Sequence, residues 1–218
     1  MSIEINIADH IVFEDPYLLV INKPSGLMVE PDRNGYPNLL QEVKKYLKPS
    51  TPVGEEVYAQ HIHRLDRPVS GIILFTKKRE VLRNLSEQFA QRKVRKYYQA
   101  ITSAAPELKQ GMLVNWHRKE KKRAVIANEA FPHAEEVLLS YAVKAKDENR
   151  YLWNIELHTG KFHQIRAQLA FIGCPIIGDE YYGSTVPYHQ DTIALHGCKL
   201  IFSHPVSKEE IVIENKIF

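Results

Sequence analysis

Short apolar runs broken by turn residues constrain this chain more than any other feature. Ile11-Val12-Phe13, Tyr17-Leu18-Leu19-Val20-Ile21 and Leu27-Met28-Val29 are interrupted by short gaps that contain Asp15-Pro16 and Lys23-Pro24-Ser25-Gly26. Each run reads as a strand, and the gaps are too short for the crossovers that parallel strands need. Ile72-Ile73-Leu74-Phe75 reads as a buried strand, and Lys96 to Ile101 returns to strand character. Trp153, Ile155 and Leu157 alternate with Asn154, Glu156 and His158, the period of a half-buried strand ending at Thr159-Gly160. The tail adds Lys199 to Phe202 and Ile211 to Ile213.

Helical spacing is confined to a few segments. Asn38 is a candidate N-cap for a helix with Leu39, Leu40, Val43, Tyr46 and Leu47 on one face, ending before Pro49. Val81, Leu82, Leu85 and Phe89 share a face in a second helix, and Ile165, Leu169 and Ile172 in a third that stops at Gly173. The expected fold is α+β, a mixed and mainly antiparallel sheet flanked by a few helices, with residues 1–218 forming one domain.

With 218 residues, 44% hydrophobic and 25% charged, the chain has enough apolar material for a core, and neither the disordered nor the membrane class is favoured. Met1 to Asn6 lacks the basic flank and apolar run of a signal peptide, and no stretch is long and apolar enough to span a bilayer. Cys174 and Cys198 are the two cysteines, too few for a disulfide framework and not paired as CxxC. A cytoplasmic protein, without a membrane partner, is expected. The net charge of +3 permits a polyanionic partner. Clustering is more telling: Arg92, Lys93, Arg95 and Lys96 form one basic stretch, and Arg118, Lys119, Lys121, Lys122 and Arg123 another. Taken alone, either is equally a solvated surface segment.

Asp66 stands between Arg64 and Arg67, followed by Pro68 and Gly71, which makes a shaped loop feeding a buried strand. Flanking guanidinium groups favour the charged form of a carboxylate, which can then serve as nucleophile or base. By itself the same pattern fits a loop salt bridge. Arg166 and Gln164 open the third helix, and Arg166 suits a forked pair with a carboxylate or phosphate. Lys96-Tyr97-Tyr98 joins phosphate-seeking charge to aromatic faces, a combination suited to unpaired RNA. A rival reading takes His61 and His63, with Asp66 and His163, as metal ligands for hydrolysis; Arg64 and Arg67 bring positive charge where the dication would sit. Phosphate-binding glycine loops and a GxSxG elbow are absent.

Together these segments resemble the RluA family of pseudouridine synthases. Leu18-Leu19-Val20-Ile21-Asn22-Lys23-Pro24-Ser25-Gly26 looks like its first sheet segment, and His63-Arg64-Leu65-Asp66 with Ser70-Gly71 its catalytic loop. Lys96-Tyr97-Tyr98-Gln99-Ala100 is similar to its Lys-x-Tyr-x-Ala strand, and Gly160 to Arg166 to its third motif, continued by Gly173 to Asp179 and Tyr182-Gly183. Leu195-His196 and Ser203-His204-Pro205 resemble its closing segment.

The resemblance implies an isomerase that converts specific uridines of rRNA or tRNA to pseudouridine, with Asp66 as catalytic carboxylate and Arg166 orienting it. Tyr98 would lie against the target base with Ile165 on the other side, Arg64 would help extrude the nucleotide, and Lys96 would bind substrate. Structured RNA, not DNA, is the implied partner of a monomer that needs neither metal nor redox cofactor. Arg118 to Arg123 is a candidate RNA contact. Val69 departs from the family's usual Thr and Gln168 from its frequent His. An amino-terminal S4 module is not expected, since the sequence opens almost at the catalytic sheet. A binding protein that kept the fold and lost the chemistry is the other rival.

Overall fold

The computed structural model describes residues 5–31 and 37–218, so Met1 to Glu4, part of the stretch read for a signal peptide, lie outside it. The chain forms two compact units, residues 1–94 with 199–215 and residues 95–198 with 216–218.

The first unit contains strands β1 (Ile11–Glu14), β2 (Leu18–Lys23), β3 (Gln60–His61) and β4 (Ser70–Thr76), with helices α1 (Leu39–Leu47) and α2 (Arg79–Ala90). Strand β2 lies between β1 and β4, antiparallel to both, and β3 pairs with β4. The apolar run of β2 is divided between two cores, as the alternation of a strand dictates. Leu19 and Ile21 pack with Leu39, Val43 and Leu47 of α1, whereas Leu18 and Val20 pack with Leu85 of α2.

Helix α1 starts where expected, Asn38 Oδ1 accepting from the Gln41 N–H. The expected strand at Leu27 to Val29 is not formed. The Met28 and Val29 carbonyls instead accept from the Leu39 and Leu40 N–H groups, donors that the first turn of a helix leaves unmet, and the Leu27 and Val29 side chains are buried in the core. Only an isolated parallel bridge joins Met28 to Asn38.

His204 of the closing segment secures the turn between β1 and β2. Its Nδ1 accepts from the Val206 and Ser207 N–H groups, so its Nε2 carries the proton and donates to Asp15 Oδ2 at 2.8 Å. Asp15 Oδ1 accepts from the Tyr17 and Leu18 N–H groups at the start of β2.

In the second unit β5 (Arg95–Thr102), β6 (Gln110–Glu120), β7 (Arg123–Ala127), β8 (Glu135–Asp147) and β9 (Arg150–Leu157) run in the order β5-β9-β8-β6-β7, each pair antiparallel. Helix α3 (Gln164–Phe171) lies against β6 and β7. Strand β10 (Leu195–Ser203) gives residues 195–198 to this unit and 199–203 to the first, where it pairs with β11 (Glu210–Glu214). The α+β class and the mainly antiparallel sheet agree with the sequence. The long strand β6 carries no clean apolar alternation, because Asn115 and His117 take inward positions while Met112 and Val114 are exposed. Among the described residues no helix is long and apolar enough to cross a membrane.

Candidate active site

Asp66 belongs to the first unit, in the loop between β3 and β4. Main-chain contacts shape this loop. The Val69 N–H donates to the Asp66 carbonyl at 3.0 Å, the Gly26 N–H to the Arg67 carbonyl at 2.8 Å, and Arg67 Nε back to the Gly26 carbonyl at 3.1 Å. Gly26 makes this exchange at φ +84°, a conformation costly for other residues.

Beneath the loop lies Lys23, buried at the end of β2, its ammonium donating to the carbonyls of Pro24 (2.9 Å), Leu27 (2.8 Å) and Arg67 (3.3 Å). Three acceptors match its three protons. Burial pushes its pKa down to about 7, and the negative charge of Asp66 pulls the other way. In the sequence Lys23 stands within a motif and shows no task of its own. The available signal was a lysine directly continuing a buried strand and followed by proline.

The two arginines beside Asp66 have further partners. Arg64 is ion-paired with Glu30 although its side chain is 61% exposed, and Arg67 makes the Gly26 contact. Val69, where a Thr hydroxyl was expected, is buried, and its backbone N–H braces the loop.

His61 and His63 face different surroundings. His61 lies 3.4 Å from Glu30, and burial lowers its pKa against the pull of that carboxylate. His63 stacks on Phe89 and its Nε2 accepts from the Leu74 N–H. Among the described residues no three His, Cys, Asp or Glu side chains gather in a way that could hold a metal ion.

Tyr98, Lys96, Ile165 and Arg166 belong to the second unit. Strand β5 places Tyr98 opposite Ile155, with the ring almost wholly buried. Lys96 lies two residues before it on the same face and meets the third motif: a Cβ at Gly160 would sit 3.0 Å from its Nζ.

Helix α3 begins after His163, held in a left-handed conformation at φ 54°, and buries Gln164 to Leu169 without a solvent-facing charged side. Arg166 donates from Nε to Asp179 Oδ2 at 2.7 Å and from Nη2 to Asp179 Oδ1 at 2.9 Å, with both side chains buried. Its guanidinium also lies 5.1 Å from the centre of the Tyr182 ring. A forked pair fixes the guanidinium plane as well as its position. In the sequence Asp179 stands out only as the end of a motif. Gly178 before it has φ +84°, and a Cβ there would meet the Thr192 carbonyl at 2.7 Å, so the turn that presents Asp179 requires glycine.

The remaining polar groups of α3 form one network. Gln164 donates to Gln168 Oε1 at 3.0 Å, Gln168 to Asn115 Oδ1 at 2.9 Å and the Leu113 carbonyl at 3.2 Å, and Asn115 to Asn128. Gln164 Oε1 accepts from Thr159 and from the Lys161 N–H. His117 Nε2 meets the Phe162 carbonyl at 2.9 Å. Gln168, where a His was expected, therefore bridges helix and sheet with both ends of its amide.

A carboxylate on a shaped loop and a guanidinium on a buried helix form the two halves of the candidate chemistry. The family model described as RNA pseudouridylate synthase matches residues 17–171, a span containing Asp66, Tyr98, Ile165 and Arg166. The chain belongs to this family, in its RluA branch, and is an isomerase acting on RNA.

Relatives include tRNA pseudouridine synthase C of Pasteurella multocida, 30% identical over 93% of this chain and 89% of its own length. Ribosomal large subunit pseudouridine synthase D of Zymomonas mobilis is 29% identical over 92% of this chain and 67% of the relative. Among solved structures, human RNA Pseudouridylate Synthase Domain Containing 4 shares the fold, with a TM-score of 0.78 at 23% identity over 97% of this chain and 89% of that one.

Proposed function

We propose that this chain converts specific uridines of ribosomal or transfer RNA to pseudouridine, with Asp66 as the catalytic carboxylate. The reaction is an isomerisation. The bond from C1′ to N1 of uracil breaks, the base turns, C5 bonds to C1′ and gives up its proton, and N1 ends protonated. Nothing is oxidised or reduced, so the task is to hold a detached base and keep water from C1′.

Asp66 acts on the ribose, at C1′ or as a base taking a ribose proton, while the glycosidic bond breaks. Arg166 is the fixed cation that orients it, Tyr98 and Ile165 face the two sides of the uracil, and Lys96 binds substrate. Arg64, exposed on its loop, helps extrude the target nucleotide and fills the space it leaves. Extrusion from a loop or mismatch costs less than from a stacked duplex, which favours a structured but locally unpaired target.

The observation that carries this reading is the buried fork between Arg166 and Asp179: it holds a permanent cation at one orientation on the motif helix. The family match through residues 17–171 spans both compact units, which supports their acting together as one catalytic domain. The names of the relatives support ribosomal or transfer RNA as the substrate class and a cytoplasmic place of action.

The test is tritium release from RNA labelled at uracil C5. Asp66→Asn is expected to abolish release while RNA binding largely persists. Retained turnover would remove Asp66 from this role.

A further inference from the structure

The basic run at residues 118–123 is the tip of a hairpin, β6 turning into β7 at Lys121, whose φ is 52°. Arg118 is ion-paired with Glu120, the one acid in the run. Two of the cations lie over aromatic rings. Lys119 Nζ is 4.4 Å from the centre of Phe162, and Arg123 Cζ lies 5.2 Å from the centre of Tyr182 and 5.5 Å from that of Tyr181.

The rings are themselves continuous: Phe162 stacks on His163 at 3.8 Å, and His163 meets Tyr181 and Tyr182 edge-on. Tyr182 explains its own presence. It is buried, its hydroxyl accepts from the Ala124 N–H at 2.9 Å and lies 3.0 Å from His163 Nδ1. Tyr181 has no such account. It is 46% exposed, and its hydroxyl makes no hydrogen bond among the described residues.

We propose that Tyr181, with Arg123 and Lys119, forms a stacking subsite for an unpaired nucleotide flanking the target uridine. This rests on the function proposed above and adds where, beyond the target itself, the RNA is held. An exposed planar ring beside Arg123, with Lys119 over the adjoining Phe162 and neither cation in an ion pair among the described residues, suits a ligand that offers flat faces and phosphates together. Duplex bases hide their faces, so the nucleotide is unpaired. Arg123 is exposed and long, and can leave the ring for a phosphate as the base arrives. His163 precedes Ile165, assigned to the target uracil, by two residues and Arg166, assigned to orient Asp66, by three, so this surface adjoins the helix that carries both.

The probes are a labelled twelve-nucleotide oligouridylate and a twelve-base-pair RNA duplex, titrated with the full chain by fluorescence anisotropy. Tyr181→Ala is expected to weaken oligouridylate binding about five- to tenfold, with the slope of log affinity against log salt unchanged and duplex binding unaffected. Tyr181→Phe should stay within about twofold of the parent, and Tyr181→Leu, which keeps apolar bulk and guards against a folding defect, should lose as much as alanine. Arg123→Ala should lower the salt slope by about 0.7.

An unchanged affinity in Tyr181→Leu, or an equal loss on the duplex, would overturn the subsite and leave a plain electrostatic surface. Failure of the parent protein to release tritium from any cellular RNA would overturn the proposed function instead, whatever the oligonucleotide titration gives.

Discussion

The loop that carries Asp66 and the helix that carries Arg166 are held in opposite ways. The loop is shaped by main-chain hydrogen bonds and by one buried lysine that spans three carbonyls. The helix is held through side chains: an arginine forked onto an aspartate, and glutamines threaded to asparagines on the sheet. A main-chain scaffold tolerates a change of side chain, because the replacement keeps its N–H and carbonyl. A side-chain scaffold does not, since each deletion strands a buried partner. The carboxylate is thus expected to separate function from stability, and the cation to couple them.

The sharpest way to break this contrast is to neutralise each region in turn. Asp66→Asn should lower pseudouridine formation by on the order of a thousandfold or more while shifting unfolding free energy by under about 1 kcal/mol. A large loss of stability would show that the Asp66 side chain, and not the backbone, holds the loop. Asp179→Asn should cost about 3–5 kcal/mol by urea unfolding, because it breaks the charge-assisted fork that holds a buried guanidinium. Its turnover should fall about tenfold to a hundredfold, through a misplaced Arg166. Wild-type stability in that variant would remove the fork as the element that holds Arg166.

A smaller effect is expected at Gln168, which touches neither member of the fork in the contacts described. Gln168→Leu keeps the bulk but leaves the Asn115 Oδ1, Leu113 carbonyl and Gln164 amide contacts short of a partner, at a cost of about 1–3 kcal/mol. Gln168→His should recover part of that loss, since an imidazole supplies one donor and one acceptor. If both variants unfold at the parental urea concentration, the network is incidental to α3.

The same contrast governs what the amino-acid sequence reveals. Strands β2 and β4 announce themselves by unbroken apolar runs, and α1 by a capping Asn38 with helical spacing behind it. Leu27 to Val29 has equal apolar content but serves the start of α1 with its carbonyls, a tertiary use that periodicity does not encode. Strand β6 is obscured because its inward Asn115 and His117 are polar, met by Gln168 of α3 and by the Phe162 carbonyl just before it, and α3 itself shows a single charged residue from Gln164 to Phe171. For the site, Asp66, Tyr98 and Arg166 are legible as residues of motifs. Lys23 and Asp179 stand in those motifs too, but their tasks are not legible, because Arg67 lies 44 residues from Lys23 and Arg166 13 from Asp179, and these contacts exist only after folding.

Lys23 supplies the smallest effect near neutral pH and the one most specific in sign. Its pKa is about 7 in the folded chain against 10.5 for an ordinary lysine, because burial disfavours the charge by more than Asp66 restores. From about pH 7 to 10.5 the unfolded chain therefore holds a proton that the folded chain has released, and the lysine's contribution to stability rises with pH. Below pH 7 both states are charged, and the contribution is flat at its least favourable value. The measurable quantity is the unfolding free energy of the parent minus that of Lys23→Met, followed by urea titration from pH 6 to 9.5. It should be level up to about pH 7 and then climb by at most about 1.4 kcal/mol per unit. The carbonyls stranded by methionine add a constant offset without altering this slope. A level difference throughout would mean that the three carbonyls and Asp66 keep Lys23 charged, making the loop scaffold a permanent ion pair and drawing its chemistry closer to that of the helix.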